Sequence, residues 1–303
     1  MSAIEAVELR KRFISYERIG LIRSRKTVVN ALNGVSLSVK WGEVYGLLGP
    51  NGAGKTTTVK ILSTLLIPDS GFARINGLDV VKEARRVRGI IGLVLYPDKG
   101  FYSRLSGFEN LVYFGRLYGL SRSKAEERAR ELLKLVNLDW AANRPYEEYS
   151  LGMRARLSIA RALIHDPPVI FLDEPTIGLD PVSSRAIRDL IKGLKREGRA
   201  ILLTSHNLWE VEEVCDRVGI ISSGRVLMEG SPRDIKDRLG LRYTIEVEVE
   251  GDSRGRVIRV ETTDPVTELK RIMSEVEGNG LRIGRIRVSE PSLEEAYVRV
   301  VSG

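Results

Sequence analysis

The spacing of apolar positions changes several times along the 303 residues, and each change marks an element. Residues 3–9 alternate, and Val35, Leu37 and Val39 repeat the period of two that a half-buried strand requires. Residues 43–48 are nearly all apolar and run into a glycine-rich turn, which reads as a buried strand. Residues 55–66 carry helical spacing and meet Pro68, Asp69, Ser70 and Gly71 as a stop. Residues 72–75 and 90–95 are further strands. From about 101 to 165 the chain turns helical, with Ser106/Glu109 and Ser123/Glu126 spaced as capping boxes. Strands return at 169–172, 200–204 and 218–221, separated by helices at 182–196 and 207–215. This alternation predicts a largely parallel sheet covered by helices.

Near residue 240 the pattern changes again. Thr244 to Val249 alternates strictly, 251–255 turns, and 256–260 alternates. A helix at 265–277, a strand at 281–288 and a helix from Ser292 follow. The expected organisation is a first domain over 1–238, with a helical subdomain at about 97–165, and a small β-β-α-β-α domain over 241–303.

Composition narrows the class. No apolar run approaches the ~20 residues that span a bilayer, and the charged start MSAIEAVELRKRF is unlike a secretory signal. A soluble, cytoplasmic chain is expected, so any membrane work needs a separate spanning polypeptide. The lone cysteine, Cys215, excludes an internal disulfide and a multi-cysteine metal site. The net charge is +8. Most of it reads as spread out, apart from one cluster of Arg10, Lys11, Arg12, Arg18, Arg23, Arg25 and Lys26. That cluster is either a solvated loop or a contact for lipid headgroups or an acidic partner. There is no glutamine, and arginine outnumbers lysine 35 to 13, a bias that fits a thermophilic source.

The chemistry is carried by three segments. Gly49-Pro50-Asn51-Gly52-Ala53-Gly54-Lys55-Thr56 matches G-x-x-x-x-G-K-[ST] between a predicted strand and a predicted helix, the context that defines a P-loop. Its backbone N–H groups can cradle phosphates at a helix N-terminus, Thr57 extending the same turn. Lys55 would reach the β- and γ-phosphates and the Thr56 hydroxyl would ligate Mg²⁺. The apolar run Val169-Ile-Phe-Leu172 ends in Asp173 and Glu174. The first carboxylate can hold the Mg²⁺ water shell. The second can take a proton from the attacking water. Ser150-Leu-Gly152 opens a helix whose positive end suits a phosphate.

These residues resemble the ATP-binding-cassette proteins. Tyr149-Ser150-Leu151-Gly152-Met153 is similar to their signature motif, Pro175-Thr-Ile-Gly-Leu179-Asp180 to their D-loop, and Leu203-Thr-Ser205-His206 to their switch histidine, in the family's order over residues 3–235. The resemblance implies an α/β P-loop NTPase core of ABC type, with a mostly parallel sheet, an antiparallel β subdomain and a helical subdomain, followed here by a small α+β domain. It implies an ATPase using ATP and Mg²⁺, with Glu174 and His206 catalytic and Asp173 and Thr56 at the metal. Ser150, Gly152 and Asp180 would contact the nucleotide of a second subunit, a copy or a homologous ATPase. An aromatic residue after the first strand would stack on adenine. Phe13 is the first candidate and Tyr16 the second, unless Phe13 is simply core. His165, before Asp-Pro-Pro, reads as a helix-end residue.

Two positions depart from the family. Met153 stands where it usually has glutamine, and Tyr96-Pro97-Asp98 stands where the Q-loop glutamine would follow 91–95. A lineage bias against glutamine accounts for both. A neutral phenol is a poor Mg²⁺ ligand, so Tyr96 is expected to line a cleft and Asp98 to sense closure.

Seven of the nineteen aromatic residues fall between Tyr96 and Tyr118. In the family this region receives the permease, and aromatic enrichment suits an interface core; the same residues at helical spacing can equally fill the subdomain. The ending Glu290-Pro-Ser-Leu-Glu-Glu-Ala-Tyr297 resembles the tail of drug-resistance-type exporter ATPases. The expected protein is an exporter ATPase, peripheral at the inner face of the membrane through a permease, with no nucleic-acid partner. DNA-repair and ribosome-associated cassettes usually carry a coiled-coil insertion or a second cassette, and P-loop kinases lack the signature and switch motifs.

Overall fold

The computed structural model describes residues 2–19, 23–95, 99–250 and 256–302. Tyr96, Pro97, Asp98 and the turn expected at 251–255 lie outside the described residues, and of Tyr16 only the backbone is described. The chain forms two units, Met1–Glu229 and Gly230–Gly303.

In the first unit β3 (Val44–Leu48), β6 (Ile91–Val94), β7 (Val169–Asp173), β8 (Ala200–Ser205), β9 (Arg217–Ser222) and β10 (Arg225–Gly230) build one sheet in the order β10-β9-β3-β8-β7-β6. The pairs β3–β8, β3–β9, β7–β8 and β6–β7 are parallel. Every residue of β3, β7 and β8 is buried, so these strands are continuous apolar runs rather than alternating ones. A second, antiparallel sheet has the order β2-β1-β4-β5, from β1 (Ser2–Ile19), β2 (Arg23–Lys40), β4 (Ser70–Ile75) and β5 (Leu78–Asp79). Leu9, Val35, Leu47, Ile61, Phe171 and Leu202 belong to one core that joins both sheets to α1 (Lys55–Leu62). The remaining helices are α2 (Ala84–Arg88), α3 (Gly107–Leu117), α4 (Arg122–Leu135), α5 (Leu151–Ala162), α6 (Pro181–Arg196) and α7 (Leu208–Val214).

Four expectations are corrected. The basic insertion is a β-hairpin, not a loop: β1 and β2 stay paired out to Ile19↔Arg23, while β4 accompanies β1 only as far as Arg10. Phe13 pairs with Val29 and Ile14 with Val28, β-branched and aromatic cross-strand pairs that favour a strand. Seven basic residues against Glu17 place six of the chain's eight excess positive charges on residues 10–33, so the charge is concentrated rather than spread. Helix α1 ends at Leu62, before Pro68, because Thr64 adopts a left-handed φ of 66°. Helix α4 is capped by Ser121, whose hydroxyl accepts from the Lys124 N–H, so Ser123 lies inside the helix and Glu126 pairs with Arg122 instead. The Ser106/Glu109 capping box is present as expected.

The aromatic segment divides. Phe101 stacks on Tyr146 at 4.7 Å and meets Phe114 edge-on, under the Arg161 guanidinium, so these rings fill the subdomain. Tyr102 and Tyr113 are exposed and joined through their hydroxyls at 3.0 Å.

The second unit holds α8 (Pro232–Arg238), β11 (Tyr243–Glu250), β12 (Arg256–Thr262), α9 (Pro265–Gly278), β13 (Arg282–Ser289) and α10 (Leu293–Ser302), with its antiparallel strands ordered β12-β11-β13. Ile245, Val247 and Val249 pack on Ile272 and Val276 of α9. The division falls before α8, not at the expected 238. The reason is that α8 packs within this unit: Lys236 Nζ donates to Glu290 Oε1 at 2.6 Å, and Arg299 donates to the Leu239 carbonyl at 2.9 Å. A chain ended at Arg238 keeps α8 without these contacts, and one ended at Gly230 does not. We expect the 1–230 form to melt at or above the temperature of the 1–238 form and to aggregate less, as read by thermal unfolding with light scattering.

Candidate active site

The carboxyl ends of β3, β8 and β7 lie side by side, and each delivers one part of the site. After β3 the chain turns through Gly49 to Gly54, which caps α1 with a φ of 111° and contributes no side-chain cap. Glycine tolerates that conformation, and a Cβ there would stand 2.7 Å from the Ala31 carbonyl oxygen of β2. The first-turn N–H groups of α1 have no partner within the helix. Lys55 is buried and turns back over the loop: Nζ donates to the Gly49 carbonyl at 2.6 Å and the Pro50 carbonyl at 3.3 Å, and pairs with Glu174 Oε1 at 3.3 Å.

Asp173, the last residue of β7, is only 4% exposed. Thr56 Oγ1 donates to its Oδ2 at 2.8 Å, and the Thr204 hydroxyl of β8 donates to its Oδ1. Burial raises its carboxyl above the usual range, against the two threonine hydroxyls. Glu174 follows with a left-handed φ of 50°, a conformation that costs a glutamate and clusters at functional sites. Its N–H donates to the Thr204 carbonyl and hydroxyl, both at 3.1 Å. Its Oε2 lies 2.7 Å from His206 Nδ1. An ionised carboxylate can only accept, so this ring nitrogen carries the proton.

Pro50, Asn51, Gly52, Gly54, Lys55, Thr56, Thr57 and Glu174 line a cleft of about 160 Å³. Lys55, Thr56, Asp173, Glu174 and His206 are thus in one contact network. Ala53 is buried beneath the loop. Ser150, Gly152 and Asp180 do not line the cleft; they form a second cluster. Ser150 caps α5 by accepting from the Met153 N–H, and Asp180 caps α6 through the Val182 and Ser183 N–H groups. A Cβ on Gly152 would stand 2.3 Å from Ser183 Oγ, which itself donates to Asp180 Oδ2 at 2.6 Å, so the two helix ends touch. Met153, where the family usually has glutamine, is buried. Phe13 is 42% exposed on the hairpin, opposite Val29 and two residues along from Ala31. His165 lies beyond α5, stacked on Tyr118 at 3.8 Å, with Nε2 at 3.0 Å from the Ile91 carbonyl; burial lowers its pKa.

Thr204 and Glu210 take part without having been singled out by sequence. For Thr204 the signal was available: a polar residue at the end of a buried strand, opposite another strand's terminal acid.

The match to the ABC transporter family model covers residues 32–177. The linearmycin resistance ATP-binding protein LnrL of Bacillus subtilis is 34% identical, over 94% of this chain and 96% of that protein. The daunorubicin/doxorubicin resistance ATP-binding protein DrrA of Streptomyces peucetius is 37% identical, over 88% and 87%. Among solved structures, an ATP-binding subunit of an ABC transporter aligns with a TM-score of 0.66 at 30% identity, over 79% of this chain and 94% of that one. A dimeric ATP-binding cassette in a post-hydrolysis state with ADP and Pi aligns at 0.65 and 26%, over 75% and 98%.

Thr204→Val removes one hydrogen bond from a buried carboxylate and one from the Glu174 N–H. We expect a loss of about 1–3 kcal/mol of stability, measured as a lowered midpoint in denaturant unfolding.

Proposed function

The chain belongs to the ABC transporter family as an ATP-binding, ATP-hydrolysing subunit, and from that premise we propose that two such subunits close over two MgATP to drive a separate membrane permease in export. The carrying observation is the meeting of Lys55, Glu174, Thr56 and Asp173 at the carboxyl edge of one parallel sheet. Open parallel sheets bind ligands at that edge.

In this reading the N–H groups of Gly52, Gly54, Lys55, Thr56 and Thr57 hold the phosphates, and Lys55 Nζ neutralises them. Glu174 takes the proton of the attacking water. His206, through its Nδ1–H, fixes the carboxylate that does so and stands ready to touch the γ-phosphate. The Thr56 hydroxyl and the Asp173 carboxylate are hard oxygen donors held 2.8 Å apart, a set that fits Mg²⁺. Bound there, the ion would supply positive charge at the phosphate oxygens. Two protein oxygens suffice because Mg²⁺ keeps several waters and takes phosphate ligands. Phe13, exposed near the Gly54 flank of the loop, is the side chain proposed to stack on adenine.

Size and placement support a pair. A cleft of about 160 Å³ is small beside the ~300–1,000 Å³ that encloses a drug-sized ligand, so a nucleotide in it stays largely open. Ser150, Gly152 and Asp180 form a cluster outside that cleft, where two helices begin. We assign them to the nucleotide held by the second subunit, a copy or a homologous ATPase. Among the described residues no helix is long and apolar enough to cross a membrane. The proposed place is therefore the inner membrane face, reached through the permease. Export follows from the relatives named for drug resistance and from the tail ending in Tyr297. The second unit is proposed to serve dimer or permease contacts.

Glu174→Gln removes the base and keeps the shape. It is expected to bind MgATP, to hydrolyse it ~10²–10⁴-fold more slowly, and to elute as a dimer when chromatographed with ATP. Turnover at the rate of the unaltered protein would overturn the assignment.

A further inference from the structure

Glu210, in the first turn of α7, is 1% exposed, the most buried carboxylate among the described residues. Its Oε2 accepts from Thr176 Oγ1 at 2.6 Å and from Ser205 Oγ at 3.3 Å. Its Oε1 is buried without a hydrogen-bond partner among the described residues. Thr176 lies two residues beyond Glu174, and Ser205 immediately precedes His206. Since Glu174 and His206 are themselves in contact, the path Glu174–Pro175–Thr176, Glu210, Ser205–His206 and back to Glu174 is a closed ring.

Stability alone does not account for this residue. A buried carboxyl with one oxygen unsatisfied costs free energy, and an apolar side chain of similar size would avoid that cost. The charged groups that act on it are Arg188, engaged with Glu213 at 2.8 Å, and Glu174, of like charge. Burial holds its carboxyl above the usual range. What the carboxyl contributes is a single acceptor oxygen shared by two hydroxyls on two different segments.

We propose that Glu210 is a positioning residue that fixes Glu174 and His206 relative to each other by tying the segment after the first to the residue before the second. The proposal rests on the reading of Glu174 and His206 given above. It predicts that Glu210 matters only through their pairing.

The test is a double-mutant cycle in the full-length protein, reading kcat, KM for MgATP and melting temperature. Glu210→Ala should lower kcat by about tenfold with KM changed less than about twofold, the pattern of an interaction that acts in the transition state. Glu210→Gln keeps an acceptor oxygen and should recover most of that loss. In a His206→Ala background, Glu210→Ala should lower kcat by less than about twofold more, because residues that act as a unit are non-additive. Losses that multiply in the double variant, or an unchanged kcat in Glu210→Ala, would overturn the proposal. Should Glu210→Ala not fold, Thr176→Val opens the same ring and is held to the same cycle. Normal turnover of Glu174→Gln would instead remove the site reading itself, an outcome that does not depend on Glu210.

Discussion

Thr204 stands opposite Leu47 on one side and Asp173 on the other, in parallel register. The candidate active cluster depends on that pairing. It places the Thr204 hydroxyl between the two acids, and it brings the P-loop, which leaves β3 one residue later, level with them. A slip of one residue would turn every side chain of β8 to the other face. A slip of two would carry Thr204 about 6.6 Å past Asp173, beyond any hydrogen bond. The register is protected because β3, β7 and β8 are apolar throughout and polar only where they end.

Charge is balanced as closely as register. Two carboxylates and one lysine share a corner beside the positive end of α1, Lys55 and Asp173 buried and Glu174 half-buried. Lys55 is satisfied by two carbonyls and by Glu174; Asp173 by two hydroxyls. Burial and like-charge repulsion from Glu174 push the Asp173 carboxyl up, and its two threonine hydrogen bonds and the Lys55 charge counter them. The left-handed backbone at Glu174 adds a strain of order 1–3 kcal/mol. These costs fall on residues whose neighbours are strands buried along their whole length, which is where such a cost can be carried.

The parallel core and its motifs were legible because both signals are local: an apolar run gives a buried strand, and Gly49 to Thr56 gives a loop of fixed geometry. What stayed hidden depends on contacts between segments distant in sequence. The hairpin of residues 10–33 was hidden by its charge, since the basic residues masked a β-branched and aromatic register visible only once Phe13 faces Val29 and Ile14 faces Val28. The cap of α4 moved from Ser123 to Ser121 because Gly119, with a φ of 87°, closes the preceding helix and lets the next start early. Glu210 is one of several acids in the helix expected at 207–215, and nothing local sets it apart. Its burial becomes apparent only when Thr176 and Ser205, far from each other in sequence, are seen on either side of it.

The two candidate clusters answer to different physics. Lys55, Asp173 and Glu174 are buried or half-buried and held by strand register, so their geometry is as fixed as the sheet. Ser150, Gly152 and Asp180 sit where α5 and α6 begin, and two helix N-termini in contact bring two positive ends together. Asp180 offsets that repulsion. The Ser183 hydroxyl and backbone N–H groups hold its carboxyl below the usual range, so it stays charged between the two ends. Gly152 is required for the approach, because any Cβ would displace Ser183 from Asp180. What remains at this rim are the N–H groups of the first turn of α5, which have no partner within their own helix, and the Ser150 hydroxyl. On the proposed reading, a phosphate of a second subunit's nucleotide takes these donors, so closure of the pair and satisfaction of the α5 N-terminus are one event.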